Sequence, residues 1–254
     1  MELSSLELTV TQSHVDRFNH VASANYLLWY KDGINLFPVK PEMALPHAQE
    51  SIGDTAVIRR VELDYMNQLF VGDKITIYTA IDKVGTTNIT YQQRIERYGD
   101  IISKARIVMG FTPGTHGTQD VPSDLYLAQF KKAQVGFLHA IGISFQMLEQ
   151  AYGVRYFVKC ARFDYAFPKV LPGEEPNMLS VPTAITQIGT TSMSYLQAIW
   201  RGDLVIARAK TVAVFVDAEG EKTAIPENLR EKLAMVRATF VPVDVENPIT
   251  SYKR

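Results

Sequence analysis

One pattern occurs twice in this chain, and that limits its fold more than any other feature. The first half contains "ELDY" (62–65), "VGD" (71–73), "TAIDKVGTTNITY" (79–91) and "YGDIISKARIVMGF" (98–111). The second half contains "RFDY" (162–165), "PGE" (172–174), "TAITQIGTTSMSY" (183–195) and "RGDLVIARAKTVAVF" (201–215). Asp64 and Asp164 are 100 residues apart, while Gly85 and Gly189, like Phe111 and Phe215, are 104 apart. Blocks of varied chemistry that keep their order and spacing exclude low-complexity bias. They indicate a duplicated domain, with a first copy in 1–113, a linker in 114–124 and a second copy in 125–254.

Within a copy, hydrophobic periodicity gives the elements. Ile75, Ile77, Thr79 and Ile81 share one side of a stretch of period two, and Ile89, Tyr91, Gln93 and Ile95 do the same in the next. Period two means strands with one covered face. The breaks at "VGTT" (84–87) and "RYGD" (97–100) are short enough for hairpin turns, so the strands form an antiparallel meander. Ahead of each meander stands one helical stretch, "ANYLLWYKDGINLF" (24–37) in the first copy and "IGISFQMLEQAYG" (141–153) in the second. The consecutive residues Tyr26 to Tyr30 make the first helix apolar around most of its girth, so it needs wrapping. The expected class is α+β, each copy a curled antiparallel sheet around a central helix.

Composition excludes several functions. The chain has 254 residues, with 26 Lys+Arg against 27 Asp+Glu and no long run of one sign, so neither nucleic acid nor an acidic membrane is an expected partner. The single Cys160 forbids an intrachain disulfide and fits a reducing compartment. "MELSSLELTV" has no basic region and no apolar core of a leader, and no stretch reaches the length of a membrane span, which together predict a cytoplasmic protein. The five histidines make no close pair and Cys160 stands alone, so no metal site is expected, and no cofactor is called for. No Gly-x-Ser-x-Gly elbow and no Gly-rich phosphate loop is present.

The stretch "VDRFNHVASANYLLWYKDG" (15–33) carries the chemistry. Asp16, His20, Val21, Asn25, Tyr26 and Trp29 stand where hotdog-fold acyl-CoA thioesterases of the 4-hydroxybenzoyl-CoA thioesterase-like family carry Asp, Gly-His-Val and Asn-Tyr-x-x-Trp. The chain resembles that family over both halves. It departs from it at Asn19, where the family has glycine, at Ala22-Ser23 in place of Asn-Asn, and at Gly-Thr-Thr (85–87 and 189–191), where many relatives place an arginine. The resemblance implies two hotdog domains in tandem, paired as a pseudo-dimer, and hydrolysis of an acyl thioester, with CoA the preferred carrier and acyl carrier protein the alternative. A homo-oligomer of the tandem chain is compatible with it.

A thioester has an electrophilic carbonyl and a good leaving group, so its hydrolysis needs an attacking oxygen and a place for the developing oxyanion. A carboxylate beside a helix N-terminus meets both needs. Asp16 is the expected nucleophile or general base, and by resemblance the Ser23 N–H is the oxyanion donor. His20 would orient Asp16 or touch substrate, and Asn25 and Tyr26 would line the site. Aligning "HVASANY" (20–26) with "HAIGISF" (139–145) pairs His139 with His20 and sets Val135 opposite Asp16, so the second copy is expected to have lost the carboxylate. Its role would then be pocket wall, with His139 and Glu149 as candidate substrate contacts. Residues 37–58 are the expected cover of the acyl pocket. The rivals are a hotdog enoyl-thioester hydratase or dehydratase, although the Asp-x-Asn-Pro-x-His pattern is absent, and a non-catalytic acyl-thioester binding protein.

Overall fold

The computed structural model describes residues 3–15, 20–36, 56–86, 88–111, 123–165, 179–202 and 204–239. Asp16, the linker up to residue 122 and most of the expected pocket cover, 37–55, lie outside them. The chain divides into two compact units, Met1–Leu127 with Lys169–Glu174 and Ala128–Pro168 with Glu175–Arg254.

In the first unit, β1 (Leu3–Thr9) precedes a 3-10 turn (Gln12–His14) and α1 (Ser23–Asn35). Then come β2 (Ala56–Tyr65), β3 (Lys74–Val84), β4 (Asn88–Arg97) and β5 (Asp100–Phe111). All pairings are antiparallel, in the order β1-β3-β4-β5-β2. The meander expected from period two is present, and Ile75, Ile77, Thr79, Ile89, Tyr91, Gln93 and Ile95 are buried on its inner face. Tyr98 and Gly99, with φ of 55° and 91°, make the β4–β5 turn; two positive φ values match the right-handed strand twist.

The inner face of this sheet packs on α1. Tyr26, Leu27, Trp29, Tyr30 and Gly33 are buried on one broad face, whereas Leu28, Asp32 and Asn35 are exposed on the other, so the helix is less completely wrapped than its run of apolar residues led one to expect. Each large buried side chain contributes roughly 1.5–3 kcal/mol by leaving water. Tyr30 is fully buried, and its hydroxyl hydrogen-bonds Ser103 Oγ on β5. Gln93 on β4 donates from Nε2 to the Tyr30 carbonyl at 2.8 Å and to Thr79 Oγ1 on β3 at 2.7 Å. Gly33 lets the helix come this close: a Cβ there would sit 2.7 Å from Thr79 Oγ1 and 2.9 Å from Gln93 Nε2.

The second unit repeats this scheme. Its strands are β6 (Arg155–Tyr165), β7 (Leu179–Ser180), β8 (Thr183–Ile188), β9 (Ser192–Arg201) and β10 (Leu204–Val216). β6 pairs β10, β10 pairs β9, and both β8 and β7 pair β9, all antiparallel. Its helices are α2 (Ser123–Ala140), α3 (Phe145–Gln150) and α4 (Glu227–Thr239). The division between the units falls within α2. Leu138, Ile143, Leu148, Leu229 and Leu233 from the helical side meet Ile185, Met193, Tyr195 and Phe215 in one core cluster.

The central helix of the second unit differs from the expectation. The stretch 141–153 holds only the six-residue α3, whereas α2 begins inside the expected linker. The correspondence runs at an offset of 100: Ser23, Tyr26, Leu27 and Tyr30 match Ser123, Tyr126, Leu127 and Phe130. Gln197 Nε2 donates to the Phe130 carbonyl at 3.0 Å and to Thr183 Oγ1 at 3.0 Å, as Gln93 does to Tyr30 and Thr79. Burial of this heavier apolar set decides the register, and the weaker likeness of "HVASANY" to "HAIGISF" falls beyond it.

Gly33→Ala is expected to destabilise the protein by about 1–3 kcal/mol through overpacking against Thr79 and Gln93. This outweighs the roughly 1 kcal/mol that alanine gains over glycine within a helix. Thermal unfolding should show a midpoint several degrees lower.

Candidate active site

The candidate site is the approach to α1. Val10 N–H donates to Asp73 O at 2.8 Å and Gly72 N–H to Val10 O at 2.8 Å, which ties the end of β1 to the start of β3. Thr11 then opens the 3-10 turn, its N–H donating to His14 Nδ1 at 3.0 Å. Accepting at Nδ1 places the proton of neutral His14 on Nε2. The imidazole packs edge-to-face on Trp29 with centroids 5.2 Å apart.

The His14 carbonyl joins this turn to the helix. It accepts from Ala22 N–H at 3.1 Å and from Asn25 Nδ2 at 2.6 Å, and Val15 bridges Val21 in antiparallel fashion. The chain on either side of residues 16–20 is therefore closed, directly before α1. Asp16 belongs to that segment and lies outside the described residues.

Among the described residues, no side chain caps the start of the helix. Ala22, the N-cap, has no side-chain cap bond, and no acidic residue occupies the first turn. Of the leading amides, Ala22 N–H reaches His14 O and Asn25 N–H reaches Ala22 O at 2.9 Å. Among the described residues, Ser23 and Ala24 N–H meet no backbone acceptor. Two adjacent amides at the positive end of a helix dipole suit an oxyanion.

The surrounding phenols are neutral. Burial is the main cause that pushes Tyr26 well above the usual phenol range, with the neighbouring Tyr65 adding to it and Arg97 opposing. Burial likewise raises Tyr65, against the pull of its hydrogen bond with the Ser23 hydroxyl. Their rings meet edge-to-face at 5.0 Å. Neither is a base at neutral pH; each supplies a wall and a hydroxyl.

The expected site residues separate into two groups. Ser23, Asn25 and Tyr26 stand together on the first turn of α1, and half-buried His20 lies just ahead of it. Asn25 has its amide nitrogen committed to His14 O. His139, in contrast, is exposed in the last turn of α2, and Val135 is inside that helix, so neither takes the place opposite His20 or Asp16. Carried back along the sequence, the offset of 100 sets His116 opposite Asp16 and Asp120 opposite His20, both outside the described residues. Glu149, on α3, forms an exposed ion pair with Arg155 at 2.9 Å. His14 was missed because it lies ahead of the motif; its signal was only its place two residues before Asp16. Among the described residues, no cluster of His, Cys, Asp and Glu could hold a metal ion, and no helix is long and apolar enough to cross a membrane.

Residues 10–128, which span the turn, α1 and the first sheet's meander, match the family model of the thioesterase-like superfamily. The first half is similar to that superfamily. No curated protein matches the chain at a significant level. Solved structures similar to this chain include the 12:0-ACP thioesterase from Umbellularia californica, with TM-score 0.62, 8% identity, and coverage of 84% of this chain and 94% of that one. An acyl-ACP thioesterase from Bacteroides thetaiotaomicron gives TM-score 0.55 at 10% identity, with 84% and 98% covered. A structure described as an oleoyl thioesterase from Lactobacillus plantarum gives 0.61 at 9%, with 84% and 96% covered. At these identities the likeness is one of fold, and it is the hotdog fold.

Asn25→Ala removes one donor to His14 O and should lower the thermal midpoint by about 2–4 °C, the equivalent of one hydrogen bond. Asn25→Asp puts an acceptor against that carbonyl and should cost more. Unfolding curves of the two variants check the order.

Proposed function

We propose that the protein hydrolyses acyl thioesters with Asp16 as its essential carboxylate. The observation that carries this is the pair of amides, Ser23 and Ala24, at the uncapped start of α1, directly after the chain closed by the His14 carbonyl. Asp16 either draws a proton from water, whose oxygen attacks the carbonyl carbon, or attacks with its own carboxylate oxygen. In both routes the carbonyl oxygen takes up negative charge facing the two N–H groups. Collapse breaks the C–S bond, and the thiolate leaves and is protonated. The water route then gives the acid directly, whereas the covalent route leaves an acyl–Asp16 anhydride that a water molecule hydrolyses to release the acid and restore the carboxylate. His20 orients Asp16 or contacts substrate, while Tyr26 and Tyr65 form wall.

The organisation proposed with it is a tandem of two hotdog domains forming a pseudo-dimer, with the second domain's helix opening at Ser123. The repeated strand blocks support it, as does the Gln-to-helix bond made in both units. The chemistry at sulfur is the same for CoA and for acyl carrier protein, both of which present the acyl group on a thiol. Fold neighbours named for acyl-ACP make that carrier worth an arm of its own.

The test is thiol release from matched acyl-CoA and acyl-ACP panels of short, long and aromatic acyl groups, with wild type and Asp16→Asn in parallel. Hydrolysis by wild type should fall at least about 100-fold in the variant, with a thermal midpoint within about 2 °C of wild type. A midpoint that falls in step with activity would make Asp16 structural. Silence of wild type on every thioester, with turnover of an enoyl thioester, would favour a hydratase.

A further inference from the structure

The two units perform the same packing task with different polar groups, and the differences cluster at one residue of α1. In both, a buried Gln donates to a carbonyl in the middle of the central helix, Tyr30 in the first and Phe130 in the second. The first unit adds a bond from the Tyr30 hydroxyl to Ser103 Oγ. At the corresponding offsets of 100 and 104 the second unit has Phe130 and Ala207, so both hydroxyls of that bond are missing together. Gln197 Oε1 accepts from Gln134 Nε2 at 2.8 Å, whereas the position matching Gln134 is Ile34, and Gln93 Oε1 is buried without a partner among the described residues. A burial problem alone does not call for these groups, since the second unit solves it with Phe and Ala.

We propose that Tyr30, held by Ser103 on β5 and Gln93 on β4, positions the amides of Ser23 and Ala24 for catalysis. This deepens the thioesterase proposal and rests on it. Tyr30 lies seven residues past Ser23, about 10 Å along a rigid helix, so a shift at Tyr30 carries the first-turn amides with it. Ala22 provides no side-chain lock at the N-terminus itself. The side chain of Tyr30 and its carbonyl reach two different strands, which resists sliding along the axis and rotation about it. A buried acceptor without a partner is a feature that native structures keep for a reason. Here it accompanies a Gln whose donor end seats the helix.

The experiment copies the second unit's solution into the first. Tyr30→Phe with Ser103→Ala removes both partners of one buried bond, a change that leaves stability nearly level. With the acyl thioester that wild type turns over best, kcat should fall by about 10–100-fold while KM stays within about twofold. Hydrogen exchange over residues 20–30 should quicken at the first turn. Gln93→Met, which removes the second anchor, should act in the same direction. Gln197→Met leaves Gln134 unpaired and should lower the thermal midpoint with kcat within about twofold of wild type. Unchanged kcat in Tyr30→Phe/Ser103→Ala overturns the proposal, as does a loss of kcat that tracks a loss of stability. If wild type hydrolyses no thioester, the parent proposal fails first and takes this one with it; hydrolysis by wild type with an unaffected double variant sinks this one alone.

Discussion

The seat of α1 on its sheet governs the first unit. A helix with Tyr26, Leu27, Trp29 and Tyr30 buried and Leu28, Asp32 and Asn35 exposed turns one broad apolar face to the sheet, which must cover it. Gly33 sets the closeness of the contact, and Gln93 and Ser103 set its axial position through Tyr30. Everything chemically interesting at the start of the helix is referred to that contact. The amides of Ser23 and Ala24 have no side-chain cap of their own, and their location follows from where the rest of the helix sits.

Opposite the seat, the chain before α1 is drawn in by backbone groups. The His14 carbonyl receives both Ala22 N–H and the Asn25 side chain, and His14's ring leans on Trp29. The polar residues of this stretch therefore divide by role. Asn25 ties the turn, the Ser23 hydroxyl meets Tyr65, and the Ser23 and Ala24 amides keep no backbone partner among the described residues. Burial keeps the Tyr26 and Tyr65 phenols protonated, so base chemistry in this corner falls to a carboxylate or an imidazole.

The meander was legible in the sequence because period two is imposed residue by residue. Each inward position from Ile75 to Ile95 answers to one covered face. The same alternation put Gln93 and Thr79 inside, although nothing in it said that they would meet the Tyr30 carbonyl. The second helix was misplaced because two similar strings competed. "HAIGISF" matches the motif by its histidine, while "SDLYLAQF" matches "SANYLLWY" in the residues that are buried. Packing selects the second match, which removes His139 and Val135 from the site comparison and leaves Glu149 in a surface ion pair.

By itself the sequence determined the repeated strand blocks, the strands with their inward faces, and the polar stretch ahead of an apolar helix, because periodicity and ordered motifs are local properties of a chain. Tertiary structure alone decided which helix of the second half is central, which amides of α1 keep no backbone partner among the described residues, and that Tyr30 is held from two strands in one unit where Phe130 is held from one in the other. Those features depend on contacts between residues about 60 to 75 positions apart, and the geometry that joins them exists only once the helix has been packed against its sheet.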